Sequence, residues 1–364
     1  MAQIRIENLH KRFDEFIAVK DSTMTIPDGS FFVLLGPSGC GKTTTLRMIA
    51  GLEMPTSGRI MLGDEDVTFR RAAQRDIAFV FQLFALYPHL NVYNNLAYPL
   101  KSQGVSRREI ADRINEVARL LRIEDLLKAR PSKLAGGDRQ RVALGRAIVR
   151  RPKAFLMDEP LGTLDTEFRD LMCQELRQLH NRIGATTVYV THDQVEAMSM
   201  GDYVAVMNGG EILQVGTPND VYDRPSSVFV ADFIGNPPMN MLPFGGPIAP
   251  GSDKVSVAGA DVSVPVLKEG LVHDSGILGA RPEHIMLSDS AALRGRVFGV
   301  EYTGARKIVA VDTDVGRVRV RASNTVDAQT GDTVGLDFLT SRLSLFDAKS
   351  EAALTLSEPG ERHG

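Results

Sequence analysis

Residues 36–44 read GPSGCGKTT. The stretch fits the spacing G-x-x-x-x-G-K-[ST], which arises by chance in about one chain of this composition in a hundred. It follows SFFVLLG, a short apolar run of the buried-strand type, and opens KTTTLRMIAGL, a helix-like run that stops at Gly51. A strand, a glycine-rich loop and a helix N-terminus in that order make an anion cradle. Gly36, Gly39 and Gly41 let backbone N–H groups converge on phosphate oxygens without a Cβ in the way. Lys42 supplies a mobile positive charge for β- and γ-phosphates, and the Thr43 hydroxyl can ligate Mg²⁺. Pro37, Ser38 and Thr44 complete the binding stretch, and Cys40 is read as a small loop residue whose side chain takes no part in the chemistry. The competing reading is an ordinary glycine turn, and the strand–loop–helix context weighs against it.

Outward from this loop, the first 240 residues alternate strand and helix signals. QIRIENL alternates with period two, while RDIAFVF, KAFLMDE, TTVYVTH and DYVAVMN are short apolar runs. Such runs separated by helices predict an α/β fold, a mostly parallel sheet covered on both faces. Between RDIAFVF and KAFLMDE, residues 87–150 carry almost no strand signal. There SRREIADRINEVARLL puts Ile110, Ile114, Val117 and Leu121 on one helical face, with Ser106 and Glu109 at capping-box spacing. A helical subdomain inserted into the core is expected. The Pro/Gly-rich FIGNPPMNMLPFGGPIAPG then marks a boundary. Beyond it KVSVAG, DVSVPVL, KIVAVDT and GRVRVRAS predict a small all-β barrel or sandwich. The expected organisation is residues 1–238, then 239–355, then a disordered tail over 356–364.

The ends of two predicted strands carry the remaining chemistry. KAFLMDEP closes an apolar strand with Asp158 and Glu159, carboxylates that need a cation or substrate nearby. Beside a phosphate loop, Asp158 would hold Mg²⁺ and Glu159 would act as base toward the attacking water. TTVYVTHDQ leaves His192 at the same carboxyl edge, where ligands of α/β sheets bind, so it is a candidate γ-phosphate sensor. Gln82, after IAFVF, reaches that edge too. Residues 134–140, LAGGDRQ, join two glycines to a helix start and read either as an anion site or as a turn.

Composition narrows the function class. The 364 residues are 43% hydrophobic and 24% charged, with net charge −3. Residues 1–240 hold 29 basic and 29 acidic side chains and the rest 13 and 16, so no region has the positive excess of a general nucleic-acid binder. Apolar runs fall far short of the ~20 residues that span a bilayer. MAQIRIENLH lacks the features of an export signal, and two cysteines make no disulfide framework, so a reducing cytosol is expected. GRVRVRA sets Arg317, Arg319 and Arg321 on one strand face, which reads as a solvated face, with docking of an acidic or regulatory partner as the alternative.

In this order the pieces resemble the nucleotide-binding subunit of an ATP-binding-cassette (ABC) transporter. The resemblance covers Walker A at 36–44, a Q-loop at Gln82, a signature loop at Leu134, Ala135, Gly136, Gly137 and Asp138, Walker B at 154–159, a D-loop ending at Asp165 and a switch histidine at 192. MIAGLEMPTSGRI, VFQLFALYPHLNVYNNLAYPL and VTHDQVEAM are similar to carbohydrate-importer ATPases of the maltose and glycerol-3-phosphate type. GARPEHIML and the β-rich remainder resemble that group's OB-like (TOBE-type) regulatory extension. The resemblance implies a P-loop NTPase cassette with an antiparallel β subdomain beside the parallel core, using ATP and Mg²⁺. Thr43, Gln82 and Asp158 would be the metal contacts, Glu159, His192 and Gln82 the catalytic set, and Phe13 the ring stacked on adenine. It further implies a head-to-tail pair of cassettes, two transmembrane permease subunits touching Gln82 and the helices after it, and an extracytoplasmic solute-binding protein acting indirectly. It implies no nucleic acid, and a place on the cytoplasmic face of the bacterial inner membrane. The implied work is uptake of a small carbohydrate, polyol or sugar phosphate.

Two stretches depart from the family pattern. The usual signature L-S-G-G-Q has Ala135 for serine and Asp138 for glutamine, and the usual D-loop L-S-N-L-D has Gly162 and Thr163 in the middle. A serine hydroxyl on a charged phosphate is worth ~1.5–3 kcal/mol, while loop N–H groups and the helix dipole remain. The expectation is a competent but slower site. The alternative is a regulatory or weakly hydrolysing cassette that forms half of a heterodimeric pair, its partner supplying an intact signature.

Overall fold

The computed structural model describes residues 2–81, 85–162 and 166–355. The chain forms two compact units, residues 1–218 and 219–364.

The first unit opens with strands β1 (Ile4–Phe13) and β2 (Phe16–Ile26), then β3 (Phe31–Leu35), helix α1 (Lys42–Ala50), β4 (Ser57–Leu62), β5 (Glu65–Asp66) and β6 (Ile77–Val80). Helices α2 (Val92–Ser102), α3 (Arg107–Leu121) and α4 (Gly136–Ile148) follow. After them come β7 (Ala154–Asp158), α5 (Thr166–Ile183), β8 (Thr186–Thr191), α6 (Gln194–Met200), β9 (Tyr203–Asn208) and β10 (Glu211–Gly216). One sheet, in order β2-β1-β4-β5, is antiparallel. The other runs β10-β9-β3-β8-β7-β6 and is parallel except for β10 at its edge. The five residues of β3 are all buried, so the apolar run reads through without alternation because both faces of the strand are covered. A single core joins Ile4, Ile6 and Ile60 of the first sheet, Leu46 and Ile49 of α1, and Leu34, Leu156 and Val190 of the second.

The interrupted stretch is helical, as its periodicity predicts. Ile110, Ile114, Val117 and Leu121 are the buried stripe of α3. The capping box at its start is only half made. Ser106 accepts from Glu109 N at 3.3 Å, but the Glu109 carboxylate turns along the helix to Arg113 at 2.6 Å. An i,i+4 ion pair has drawn the glutamate away from the N-cap. The signature stretch also differs from the expected loop: Gly136 already begins α4, so residues 136–138 are the helix's first turn.

The second unit starts with α7 (Pro218–Asp223) and α8 (Val228–Phe233) and continues mainly in strands, with short 3-10 turns at Pro282–His284 and Thr340–Arg342. These are β11 (Asn240–Gly245), β12 (Lys254–Val257), β13 (Ala260–Ser263), β14 (Ser275–Ala280), β15 (Ile285–Ser288), β16 (Leu293–Tyr302), β17 (Arg306–Thr313), β18 (Gly316–Ser323), β19 (Thr333–Phe338) and β20 (Ser344–Asp347). They pair antiparallel in sheets β11-β14-β20, β12-β13 and β15-β19-β16-β17-β18 around a main apolar core, beside a smaller cluster of Ala231, Met239 and Phe346. Asn240 splices two of these sheets: its Nδ2 donates to Ala280 O and Arg319 O, and its Oδ1 accepts from Arg319 N. The unit begins ahead of the Pro/Gly-rich connector, and Arg281 supplies the reason. Its buried guanidinium donates to Tyr222 O and Ile234 O and lies 3.7 Å above the Tyr222 ring, fastening residues 219–238 to the β-rich unit. The arginine stripe on β18 is largely spent internally. Arg317 pairs with Asp312 and covers the Phe298 ring, while Arg321 reaches Asn236 O and Glu283.

Candidate nucleotide site

The phosphate loop spans from the end of β3 to the first residue of α1. Two of its glycines are required by space. A Cβ on Gly36 would stand 2.2 Å from Met207 O, and one on Gly41, where φ is +101°, would stand 2.4 Å from Ala18 O. Ser38 and Gly39 are exposed at the mouth of the loop, while Lys42 is only 4% exposed. The Lys42 ammonium is folded back under its own loop, donating to Gly36 O and Pro37 O at 2.8 Å each and standing 3.8 Å from Cys40 Sγ. Burial pushes the Cys40 thiol up despite the neighbouring ammonium, so it is not a poised thiolate.

Asp158 ends β7 beside this loop. The Thr43 hydroxyl donates to its Oδ1 at 2.8 Å. Burial raises the Asp158 carboxyl above its ordinary range, and the Glu159 charge adds to that, while the Thr43 bond opposes it. Glu159 sits at φ +42°, a left-handed conformation that costs a non-glycine residue on the order of 1 kcal/mol. Its N–H donates to Val190 O at 3.1 Å, which ties the turn to β8. The Glu159 carboxylate lies 3.3 Å from His192 Nδ1, with side chains 22% and 54% exposed. Thr43, Asp158, Glu159 and His192 therefore meet at the carboxyl ends of adjacent strands β7 and β8.

A hydroxyl and a carboxylate 2.8 Å apart are hard oxygen donors suited to Mg²⁺. Among the described residues no group of three or more His, Cys, Asp or Glu side chains could hold a metal. An Mg²⁺ ion here would thus take its other ligands from phosphate and water, its usual habit in nucleotide sites. A cleft of about 780 Å³ lined by Arg113, Val117, Phe155 and Arg182 contains none of these groups.

The other expected site residues are placed as follows. Phe13 ends β1 with its ring 42% exposed and Lys11 Nζ 4.5 Å from its centroid. Ala135 is the N-cap of α4, extended at φ −65° and ψ 166°, with no side-chain acceptor for the helix's first N–H groups. Leu134 is buried and its carbonyl accepts from Arg139 Nε, while Asp138 faces Arg141 at 3.6 Å. None of these interactions reaches the phosphate loop. Gln82 and Asp165 lie outside the described residues, as do Thr163 and Leu164. Sequence reasoning passed over Arg169 and Asp193, which brace the His192 turn. The D-x-x-E spacing of Asp193 and Glu196 is an N-cap signal that could have found one of them.

Comparisons with known proteins agree with this arrangement. The ABC transporter family model matches residues 19–162, and the TOBE domain model matches residues 278–346. The trehalose/maltose import ATP-binding protein MalK of Thermococcus litoralis is 56% identical over 66% of this chain and 67% of its own length. The sn-glycerol-3-phosphate import ATP-binding protein UgpC of Ruegeria pomeroyi is 48% identical over 85% of this chain and 86% of its own. Among solved structures, the dimeric ATP-binding cassette MJ0796 bound to ADP and phosphate superposes with a TM-score of 0.53 at 31% identity, covering 59% of this chain and 98% of that one. With a phosphate loop, paired carboxylates and an edge histidine on one sheet, and similarity running through both units, the chain belongs to the ATP-binding proteins of ABC transporters.

Proposed function

We propose that this protein is the ATP-hydrolysing subunit of an importer for a small carbohydrate, polyol or sugar phosphate. The observation that carries the reading is the paired geometry at one sheet edge, Thr43 on Asp158 beside Glu159 on His192. The names of its relatives support the substrate class, since they pair this architecture with maltose, trehalose or glycerol-3-phosphate import.

The chain's own groups divide the work. The Lys42 ammonium exchanges the carbonyls of Gly36 and Pro37 for β- and γ-phosphate oxygens. Thr43 and Asp158 are the residues that would hold Mg²⁺, whose bound form neutralises charge on the phosphates. Glu159 accepts a proton from water as the water oxygen bonds to the γ-phosphorus. The bond from that phosphorus to the bridging oxygen breaks, and ADP and phosphate leave. His192, in contact with the Glu159 carboxylate, orients that base and can donate to the γ-phosphate. Phe13 offers its exposed ring to the adenine. Leu134–Asp138 would face the nucleotide of a second cassette, closing the site from across a dimer, with Gln82 and Asp165 assigned to the same closure from the sequence. Closure driven by ATP and reopening after hydrolysis would move two membrane-spanning permease subunits, leaving this chain peripheral to the membrane.

Substitution Glu159→Gln tests the reading. Turnover should fall about 10²–10⁴-fold, the contribution of a positioned base, while ATP still binds. Unchanged turnover would remove the catalytic assignment. A second reading is favoured by the bare cap at Ala135, namely that the natural partner is a different cassette with an intact serine. Fast ATP turnover by the purified chain alone, rising cooperatively with its concentration, would sink the heterodimer.

A further inference from the structure

Arg169 lies on α5, the helix that follows the Glu159 turn, and its guanidinium reaches to the turn that carries His192. Its Nη1 donates to Asp193 Oδ2 at 3.0 Å, and its Nε stands 3.8 Å from Glu196 Oε1. Asp193 is engaged on every side. Its Oδ1 caps α6, accepting from Val195 N at 2.7 Å and Glu196 N at 3.2 Å, and its own N–H donates to Thr191 Oγ1 at 3.0 Å. Glu196 is buried and accepts from the Tyr189 hydroxyl at 2.8 Å and the Thr191 hydroxyl at 2.7 Å. The bracing is therefore built from the strand before His192, the helix after it, and one cation from α5.

His192 itself has little to hold it. Its side chain is 54% exposed, so its aim at Glu159 depends on the backbone between Thr191 and Asp193 rather than on packing. That backbone is where the Arg169–Asp193 pair acts. The pair is itself partly exposed, at 26% and 24% of the side chains, and such a pair contributes little to global stability. Its energetic use is local.

We propose that Arg169 is a positioning residue for hydrolysis: by holding Asp193 and Glu196 it fixes the turn that aims His192 at Glu159. The α5 helix and the histidine turn then move as one piece, so the spacing of base and histidine is preserved when the cassette closes. The inference rests on the reading that Glu159 and His192 carry hydrolysis.

The test uses the full chain, with steady-state ATP turnover, nucleotide affinity and thermal melting measured together. Arg169→Ala should lower kcat about tenfold to a hundredfold, the effect of a misaimed group outside direct contact, with KM for ATP and melting temperature near those of the parent. Arg169→Lys should restore part of the rate, because an ammonium can still meet Asp193. Asp193→Asn keeps the helix cap, since asparagine caps as well as aspartate, but removes the ion pair, and should show the same fall in kcat. The double variant Arg169→Ala/Asp193→Asn should be no slower than Arg169→Ala alone. Parent-like kcat in both single variants overturns the proposal, and so does a loss confined to KM or to melting temperature. Glu159→Gln separates the two levels. If that variant hydrolyses normally the functional reading fails, whereas a dead Glu159→Gln beside an unaffected Arg169→Ala defeats only the positioning role.

Discussion

The Thr43 hydroxyl donates to the Asp158 carboxylate at 2.8 Å, which joins the first turn of α1 to the last residue of β7. Thr43→Val keeps the shape and removes the donor. Asp158, already disfavoured as a charge by burial, would lose its hydrogen-bonding partner. A cost of about 1–3 kcal/mol is expected in a denaturant titration, and the Mg²⁺ concentration needed for half-maximal turnover should rise. An unchanged Mg²⁺ requirement would show that the hydroxyl is not part of the metal site.

The bare cap of α4 makes a prediction of opposite sign. Ala135 already has the extended backbone of an N-cap and lacks only an acceptor. Ala135→Ser should stabilise the chain by roughly 1 kcal/mol and raise turnover of the chain acting with itself. A stability gain without a rate gain would assign the serine position to folding alone.

The β-rich unit offers a pH signature. Burial pushes the Tyr222 phenol up to about 12, with its hydrogen bond to Glu283 adding to the shift. The unfolded phenol ionises near 10. Below that pH both states hold the proton and the contribution is complete. As pH rises from about 10 toward 12 the unfolded chain loses its proton first, so stability declines over that window. Tyr222→Phe should lessen the decline over this window, and ultraviolet titration should show one fewer late-ionising tyrosine in the variant, buried Tyr189 being pushed up in both.

Arg281 holds residues 219–238 by their carbonyls, so Arg281→Met should free that stretch. Leaving buried Ile234 O without a donor costs about 1–3 kcal/mol, and half-buried Tyr222 O adds less. Limited proteolysis should cut within 219–238 in the variant and spare it in the parent. Equal protection in both would mean that α7 and α8 are held by their apolar contacts instead.

What the sequence made legible was whatever depended on local spacing. The phosphate loop, the carboxylates ending an apolar strand and the buried stripe of α3 are each written within a dozen residues, and the structure places them as expected. Contacts distant in the chain had no such signature. Asn95 is fully buried and binds the backbone of Tyr87, Leu90 and Asn91, yet in sequence it is one asparagine in NVYNN. Arg75 is buried under the C-terminal end of α1, donating to Met48 O and Ile49 O, where composition alone would have left it in solvent. The division at 218 rather than 238 has the same origin, because a proline-rich stretch marks a break in local structure while Arg281 decides which side the preceding helices join.

Lys42 has a consequence for selectivity. Its ammonium is already dehydrated and doubly satisfied by Gly36 O and Pro37 O. If Lys42 takes phosphate as proposed, nucleotide entry would be a ligand exchange at a preformed cation, and affinity the difference between two sets of oxygen partners. A single phosphate group makes a poor replacement for two well-placed carbonyls, whereas the β and γ groups of a triphosphate offer several charged oxygens together. The loop thus sets its own threshold, and a monophosphate should fall below it without any residue built to repel it.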